Sequence, residues 1–304
     1  MPPARTSRQA TTSPPRRAYL AIGTAATMWG TWTLFLRPAA LDPRWSTAII
    51  FVALGPIATL LFLRDGARRD TSAGPRARGA WWMIAAMGVF DAANAGLFFA
   101  AISRTTVAIA VLSHYLAPVL VPLLAPWIAG TPRRRGAVGW AALALLGLAV
   151  VLEPWRLQRG GASVIVGAAF GAASAVFYAS QVCLAKRAST SFTTAEQLVF
   201  HAWISLALLL AVCPWHALPN AHGAAIILVA GVTIGLGGGL MFLWGIAHVP
   251  AEHAALLTYL EPLTAVVVGW IVFHERLGPL ALLGVALIVF ASWKSRDRAT
   301  VPAA

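Results

Sequence analysis

Residues Leu97 to Pro118 (LFFAAISRTTVAIAVLSHYLAP) return 144 positions later as Met241 to Pro262 (MFLWGIAHVPAEHAALLTYLEP). Phe98, Ile102, Ala110, Leu112, Tyr115, Leu116 and Pro118 coincide with Phe242, Ile246, Ala254, Leu256, Tyr259, Leu260 and Pro262. Beyond them the run LALLG at 143–147 returns at 280–284, seven positions earlier than the first offset predicts, because the intervening loop is shorter. A chain written this way is two related halves, and the fold must accommodate both copies of the same unit.

The solvent of those halves follows from their apolarity. Hydrophobic residues make up 59% of the chain and charged residues 11%, with a mean hydropathy of +0.74. That balance cannot cover a water-exposed globular surface and predicts an all-α integral membrane protein. Ten apolar stretches lie near 18–36, 46–63, 80–102, 106–129, 136–153, 162–185, 195–213, 223–247, 252–273 and 278–293. Each is about long enough to cross a hydrocarbon core of roughly 30 Å as a helix. Pro38 and Pro43, the Arg-rich run 64–79, Thr131 to Arg135, Glu153 to Gly161, Lys186 to Thr194 and Pro214 to Asn220 interrupt them. The faintest boundaries are at Arg104 and at His248 with Pro250. The expected organisation is a disordered cytoplasmic tail (1–17), a first five-helix repeat (18–153), a second (162–294) and a short cytoplasmic tail (295–304). The run after Arg17 continues through bulky Trp residues to Arg37, which favours an uncleaved helix over a signal peptide.

Cytoplasmic loops of membrane proteins retain Lys and Arg. With the N-terminus inside, 17 of the 23 basic residues fall in the cytoplasm, leaving Arg37, Arg44, Arg104, Arg156, Arg159 and Arg276 outside. The net charge of +13 is thereby accounted for by topology and contact with anionic lipid, with no nucleic acid invoked. Both termini are then cytoplasmic, and the protein is expected in the cell (inner or plasma) membrane. Five helices per half is an odd number, so the first helix starts inside and its counterpart outside, and the halves are inverted. Inverted repeats meeting at a pseudo-two-fold axis in the membrane plane are the recurrent architecture of secondary transporters, with the substrate near the midplane.

Further residues carry a family resemblance over roughly 18–294. Thr258-Tyr259-Leu260-Glu261-Pro262-Leu263, then Gly269-Trp270 and His274-Glu275-Arg276-Leu277, resemble the penultimate helix of EamA-type proteins of the drug/metabolite transporter superfamily. Met28-Trp29-Gly30, and Phe177-Tyr178 to Lys186, are similar to the opening helices of the two EamA repeats. The resemblance implies two inverted five-helix repeats, a cavity lined mainly by helices 1, 3, 4, 6, 8 and 9, and export of small metabolites.

Polar groups in the apolar stretches mark where such a cavity would lie. Asp91 sits near the middle of the third stretch, where a carboxylate costs roughly 2.5 to 3.5 kcal/mol on insertion scales. Asn94 and Phe98 follow at i+3 and i+7 on the same helix face. The equivalents of Asp91 and Asn94 are Gly235 and Gly238, in a Gly-rich run suited to close backbone approach. Asp91 either binds a proton or a substrate amino group, or is a structural acid satisfied by Asn94 or a neighbouring hydroxyl. Glu261 stands where the first half has Ala117, so the fold template does not require its charge; structural hydrogen bonding and a substrate or proton role both remain open. His114, beside Tyr115, is either satisfied packing or a proton carrier. Pro262 frees a backbone carbonyl on the preceding turn, and Pro118, Pro122 and Pro126 recur every fourth residue, predicting a bent or gating helix.

The 13 Trp sort by depth. Trp45, Trp81, Trp82, Trp127, Trp155, Trp215 and Trp293 fall near stretch ends and read as an interfacial belt. Trp29, Trp32, Tyr178, Trp244, Tyr259 and Trp270 lie deeper. Trp29 with Tyr178, and Trp244 with Tyr259, are candidates for an aromatic lining, with plain packing as the alternative.

Other functions are disfavoured by what is missing. The first stretch has no acid from Tyr19 to Leu36, unlike small multidrug antiporters, and no Lys or Arg lies deep in a stretch to hold a phosphorylated substrate. His274-Glu275-Arg276-Leu277-Gly278 has Gly where a zinc protease motif needs its second His, and neither a Gly-x-Ser-x-Gly elbow nor a GK[ST] loop occurs. No enzyme, metal or cofactor is expected. Cys183 and Cys213 fall near opposite membrane faces, too far apart for a disulfide. The sequence therefore predicts a secondary transporter exporting a small neutral or zwitterionic metabolite, an amino acid or a related compound, by alternating access and with proton coupling. Import of similar solutes, drug or lipophilic-cation efflux and a non-transporting role are the alternatives. The partners are the small-molecule substrate and membrane lipid, and a homodimer stays open.

Overall fold

The computed structural model describes residues 15–66, 79–134, 136–156, 162–274, 278 and 280–297, and among them no strand occurs. The first stretch forms α1 (Arg16–Gly30) and, after a break at Thr31 and Trp32, α2 (Thr33–Ala39); α3 (Pro43–Gly66) and α4 (Trp81–Ile102) follow. The fourth stretch divides into α5 (Val107–His114) and α6 (Ala117–Ile128), and α7 (Ala137–Leu152) ends the first half. The second half runs through α8 (Ala162–Ala188), α9 (Thr194–Val212), α10 (Ala221–Ala230), a π-helical segment (Gly231–Leu236) and α11 (Gly237–His248). It closes with α12 (Ala251–Leu257), α13 (Leu260–Val272) and α14 (Ala281–Asp297).

Among the described residues every apolar stretch is helical, but not every one is a single continuous helix. Seven helical spans among the described residues are long and apolar enough to cross a membrane, while 137–152 and 281–295 form shorter apolar helices. Four stretches are broken or distorted, and each has a local cause. Thr31 turns its hydroxyl and amide onto the Met28 carbonyl, at 2.6 and 3.0 Å, which ends α1. Pro118 and Pro262 lack the amide that would reach the carbonyls of His114 and Thr258, and their rings crowd those carbonyls, so the helices break immediately before them. The π segment falls where the Gly-rich run begins. The bend therefore lies ahead of Pro118, whereas Pro122 and Pro126 are carried inside α6.

The expected tails also shift: Arg16 and Arg17 belong to α1, and α14 extends to Asp297. Residues 1–14 and 298–304 lie outside the described residues, as do Arg68, Arg69, Arg76, Arg78, Arg135, Arg159, Glu275, Arg276 and Leu277. Helix starts follow capping chemistry where the loops are short. Thr193 and Glu196 form a reciprocal capping box on α9 at 3.2 and 2.9 Å, and the Asn220 side chain accepts the Gly223 amide at 2.7 Å on α10.

The halves interlock rather than sit side by side. Helix α1 packs along α11, and its repeat equivalent α8 packs along α4, while α3 pairs with its counterpart α9 and α7 with α14. Residues matched by the repeat touch one another at two places. The Tyr259 hydroxyl donates to the Tyr115 carbonyl at 3.0 Å, with the two rings 5.7 Å apart. A Cβ built on Gly147 would stand 2.7 Å from the Gly284 carbonyl, and one on Gly284 2.5 Å from the Gly147 carbonyl. Self-matching contacts of this kind lie on a pseudo-two-fold axis, here running through Tyr115/Tyr259 and Gly147/Gly284.

Helix ends gather into two groups. At one end the start of α1 meets the start of α12 (Tyr19 hydroxyl to His253 Nδ1, 2.8 Å), and the end of α8 meets the ends of α6 and α11 through Arg187 and Lys186. At the other, Arg37 lies over Phe273 at 4.1 Å and Arg104 over Phe170 at 4.8 Å. The start of α1 and the end of α8 thus share an end, so these equivalent helices run in opposite directions. Trp81, Trp82, Trp127, Trp155, Trp215 and Trp293 are exposed as a belt requires. Trp45 departs from that expectation: it is buried, donates Nε1 to the Ala217 carbonyl at 3.0 Å, and packs edge-on against Trp215. Cys183 and Cys213 are both free and lie at opposite ends.

Candidate functional site

The two helix breaks place the chemistry. Because α5 stops at His114 and α12 at Leu257, the residues at the breaks turn toward the neighbouring helix α8 and toward each other. His114 Nδ1 lies 2.8 Å from the Ser174 hydroxyl on α8, and that hydroxyl donates to Asn94 Oδ1 on α4 at 2.8 Å. With the serine proton committed to Asn94, the imidazole carries its proton on Nδ1 and presents Nε2 as an acceptor. Four rings surround it or continue from it: Phe98 at 4.8 Å, Tyr178 at 5.2 Å, Tyr115 at 5.3 Å, and Tyr259 beyond Tyr115. The Glu261 carboxylate, at the start of α13, faces the Tyr115 hydroxyl as its hydrogen-bond partner, and Tyr178 faces Thr258.

One turn along α4 a second polar group adjoins the first. Asp91 is approached by the Ser205 hydroxyl at 3.4 Å and His201 Nε2 at 3.7 Å, both from α9, and by the Gln181 side chain from α8. His201 is held in place by its Nδ1 on the Gln197 carbonyl at 2.6 Å and by the edge-on ring of Phe51. Gln181 Oε1 is a buried acceptor without a hydrogen-bond partner. Asp91, Asn94, Phe98, His114, Tyr178, Gln181 and Glu261 are wrapped by protein yet keep partial exposure, so they border an internal space in the middle of the molecule.

Most of the residues singled out from sequence therefore converge, with three corrections. Asn94 does not satisfy Asp91; it turns to Ser174 and His114, while α8 and α9 supply the partners of Asp91. Trp29 packs on Phe242 at 5.3 Å and against Gly238, where a Cβ would strike its indole nitrogen. Trp244 is exposed and stacks on His248 at 4.6 Å, away from Tyr259. Gly235 gives the close approach expected, since a Cβ there would stand 2.8 Å from Leu54 Cδ1. Pro118, Pro122 and Pro262 are buried. Sequence reasoning missed Ser174, Gln181, Thr258, His201 and Ser205. The last two had a legible signal: Gln197, His201 and Ser205 recur every fourth residue on one face of an otherwise apolar helix.

Two further features flank this site. A mainly apolar cleft of about 630 Å³ opens along α1 between Tyr19, Thr24, Thr27 and Thr31 and, across it, Leu257 and Leu260 next to the second break. Its lining includes none of the polar residues of the internal space described above. At the end where α1 begins, Glu252 at the start of α12 is 4% exposed and meets Arg134, from the connection after α6, at 2.8 Å. Lys186 lies beside Glu252 and donates to the Ile246 and Ala247 carbonyls at 2.9 and 3.0 Å. This ion pair joins the two halves.

The model of the EamA-like transporter family matches residues 16–153 and again 165–293. The chain belongs to this family. It is 28% identical over 279 residues to an uncharacterized transporter of Archaeoglobus fulgidus, an alignment covering 90% of this chain and 95% of that protein. A solved crystal structure of 22% identity superposes with a TM-score of 0.74 over 90% of this chain and 96% of its own, a likeness of fold. Membership of a transporter family, apolar helices long enough to span and a twofold match make this EamA-like protein a multi-pass membrane protein of the transporter kind.

Proposed function

We propose that this protein is a secondary transporter that moves a small metabolite of about amino-acid size outward across the cell membrane by alternating access. The observation that carries the reading is the meeting of two broken helices, α5/α6 and α12/α13, across the pseudo-two-fold axis beside a polar internal space. Discontinuous helices at a repeat interface supply substrate contacts without exposing unsatisfied backbone to lipid. Ten crossings with both termini cytoplasmic agree with the gathering of helix ends and with the 17 basic residues assigned inside. The end bearing Glu252 and Arg134 is then the cytoplasmic one.

Proton coupling is assigned to Asp91 with His201 beside it. Asp91 is a carboxyl in a membrane interior, with the Ser205 hydroxyl at 3.4 Å and His201 Nε2 at 3.7 Å, and it can take up or release one proton as the space around it opens and closes. A proton moving down a membrane potential contributes about 2.3 kcal/mol per 100 mV, enough to drive useful accumulation of one solute molecule. The test is flux in proteoliposomes of a labelled panel of amino acids, nucleosides and hydrophobic amines, with and without an imposed pH gradient. Gradient-driven accumulation is expected for wild type and its loss for Asp91→Asn. Unchanged gradient dependence in Asp91→Asn refutes the coupling assignment.

A further inference from the structure

The site sets two carboxylates, Glu261 and Asp91, beside a wall of aromatic rings, and that combination selects a charge. The acceptors are the Glu261 carboxylate, Asp91, the partnerless Gln181 Oε1 and His114 Nε2. The neutral donors beside them are already engaged: the Tyr115 hydroxyl faces Glu261, Ser205 and Gln181 approach Asp91, and the Ser174 hydroxyl is spent on Asn94. Phe98, His114, Tyr115, Tyr178 and Tyr259 form a connected set of rings around the same space. Among the described residues, the basic side chains with placed partners sit at the helix ends: Arg37, Arg44 and Arg104 at one, Arg134, Lys186 and Arg187 at the other.

From this we infer that the substrate is an organic ammonium ion with an apolar or aromatic body and no carboxylate, its nitrogen held between Glu261 and Asp91 and its body against the His114–Tyr178 rings. An ammonium group brings a positive charge and three donors to two carboxylates, and ring faces attract a cation. A zwitterionic amino acid would bring the same ammonium, but its carboxylate would face two protein carboxylates, and among the described residues no guanidinium or ammonium is placed beside them to receive it. The inference rests on the transporter reading for its setting and narrows the cargo to a cation.

The test is isothermal titration of the full-length protein in nanodiscs at pH 7.5 with three probes sharing one ring: phenethylamine, phenylalanine and 3-phenylpropionate. Phenethylamine is expected to bind about 100-fold tighter than phenylalanine, from like-charge repulsion at close range in a medium of intermediate dielectric, and phenylpropionate not at all. Glu261→Gln should weaken phenethylamine at least about tenfold and narrow its advantage over phenylalanine, as expected for losing a close charge partner. Tyr178→Leu serves as a second variant, weakening the amine through the ring face alone. Equal or tighter binding of phenylalanine by wild type overturns the inference, as does absence of amine binding. Flux of the same probes separates the two readings. Gradient-driven movement of phenylalanine without phenethylamine keeps the transporter and removes the ammonium substrate. Glu261-dependent phenethylamine binding without flux of any probe keeps the substrate and removes the transporter.

Discussion

In the alternating-access reading proposed above, opening the Glu252 end breaks the Arg134–Glu252 pair, so neutralising Glu252 should shift the protein toward the state open at that end. An exposed ion pair contributes at most about 1 kcal/mol, and removing one partner of a buried pair costs about 3 to 5 kcal/mol. Here the acid is 4% and the arginine 35% exposed, which places the coupling near 2 kcal/mol. If the pair is lost on opening, Glu252→Gln raises the ratio of open to closed molecules about 30-fold at 1.36 kcal/mol per tenfold. The protein carries its own reporters. Cys183 is fully buried three residues before Lys186, with Sγ 3.8 Å from the Val121 carbonyl, and Cys213 is buried at the opposite end, 3.7 Å from the Arg44 carbonyl.

The assay is the initial labelling rate of each cysteine by a membrane-impermeant maleimide in nanodiscs, resolved by peptide mass. When reclosing outpaces labelling, the rate follows the open population. Glu252→Gln, and independently Arg134→Ala, should accelerate Cys183 by roughly 30-fold and leave Cys213 unchanged or slowed. An unchanged Cys183 rate in both variants refutes the latch. Equal acceleration of both cysteines refutes it too, because that signals general loosening rather than opening at one end.

Two other expectations test the frame around the site. Gly147→Leu should destabilise the fold by about 1 to 3 kcal/mol, since even its Cβ meets the Gly284 carbonyl and cannot be relieved by a rotamer change; thermal unfolding in detergent with and without the substitution measures it. Asp42, in the connection before α3, accepts the Arg44 amide at 2.8 Å and its guanidinium at 2.9 and 3.0 Å, which hold its carboxyl below the usual carboxylate range. A lowered folded pKa gives stabilisation that is present above the ordinary carboxylate pKa of about 3.9 and lost as pH falls through the folded value. The small melting-temperature difference between wild type and Asp42→Asn should therefore be constant near neutrality and vanish on acidification below about pH 4.

Much of this arrangement is legible in the chain. The repeat and the apolar stretches foretell the interlocked halves, because backbone in lipid has almost no alternative to helix and a repeated unit must bury the same faces twice. Pro118 and Pro262 foretell breaks, since ring sterics act within four residues. What escapes is partner choice across helices. Asp91 and Asn94 share a helix face, which suggested that one served the other, yet α8 and α9 reach that face from different sides and divide them. Trp45 and Trp244 show the same limit: depth along a helix can be counted from sequence, but rotation toward a neighbour or toward lipid depends on crossings between helices distant in the chain. The break at Thr31 was missed because it turns on one hydroxyl competing for a carbonyl, with no proline to announce it.

Comparison of the halves separates what holds the fold from what performs the chemistry. Positions identical in both repeats include Tyr115/Tyr259 on the axis, Pro118/Pro262 at the breaks, Phe98/Phe242 and Gly147/Gly284. These set where helices cross and stop, and a two-fold scaffold needs each of them twice. The ionisable positions are not shared: Asp91 answers to Gly235, His114 to Thr258, Glu261 to Ala117, and polar Asn94 to Gly238. A structural requirement of the repeat would have demanded the group in both halves, so its presence in one alone points to a ligand or proton as the reason for it. The glycine side is part of the same arrangement. Trp29 packs against Gly238, where any side chain would strike its indole nitrogen, whereas Asn94 at the matching position accepts the Ser174 hydroxyl. The repeat thus supplies a common scaffold, and each half adds polar groups of its own to the site.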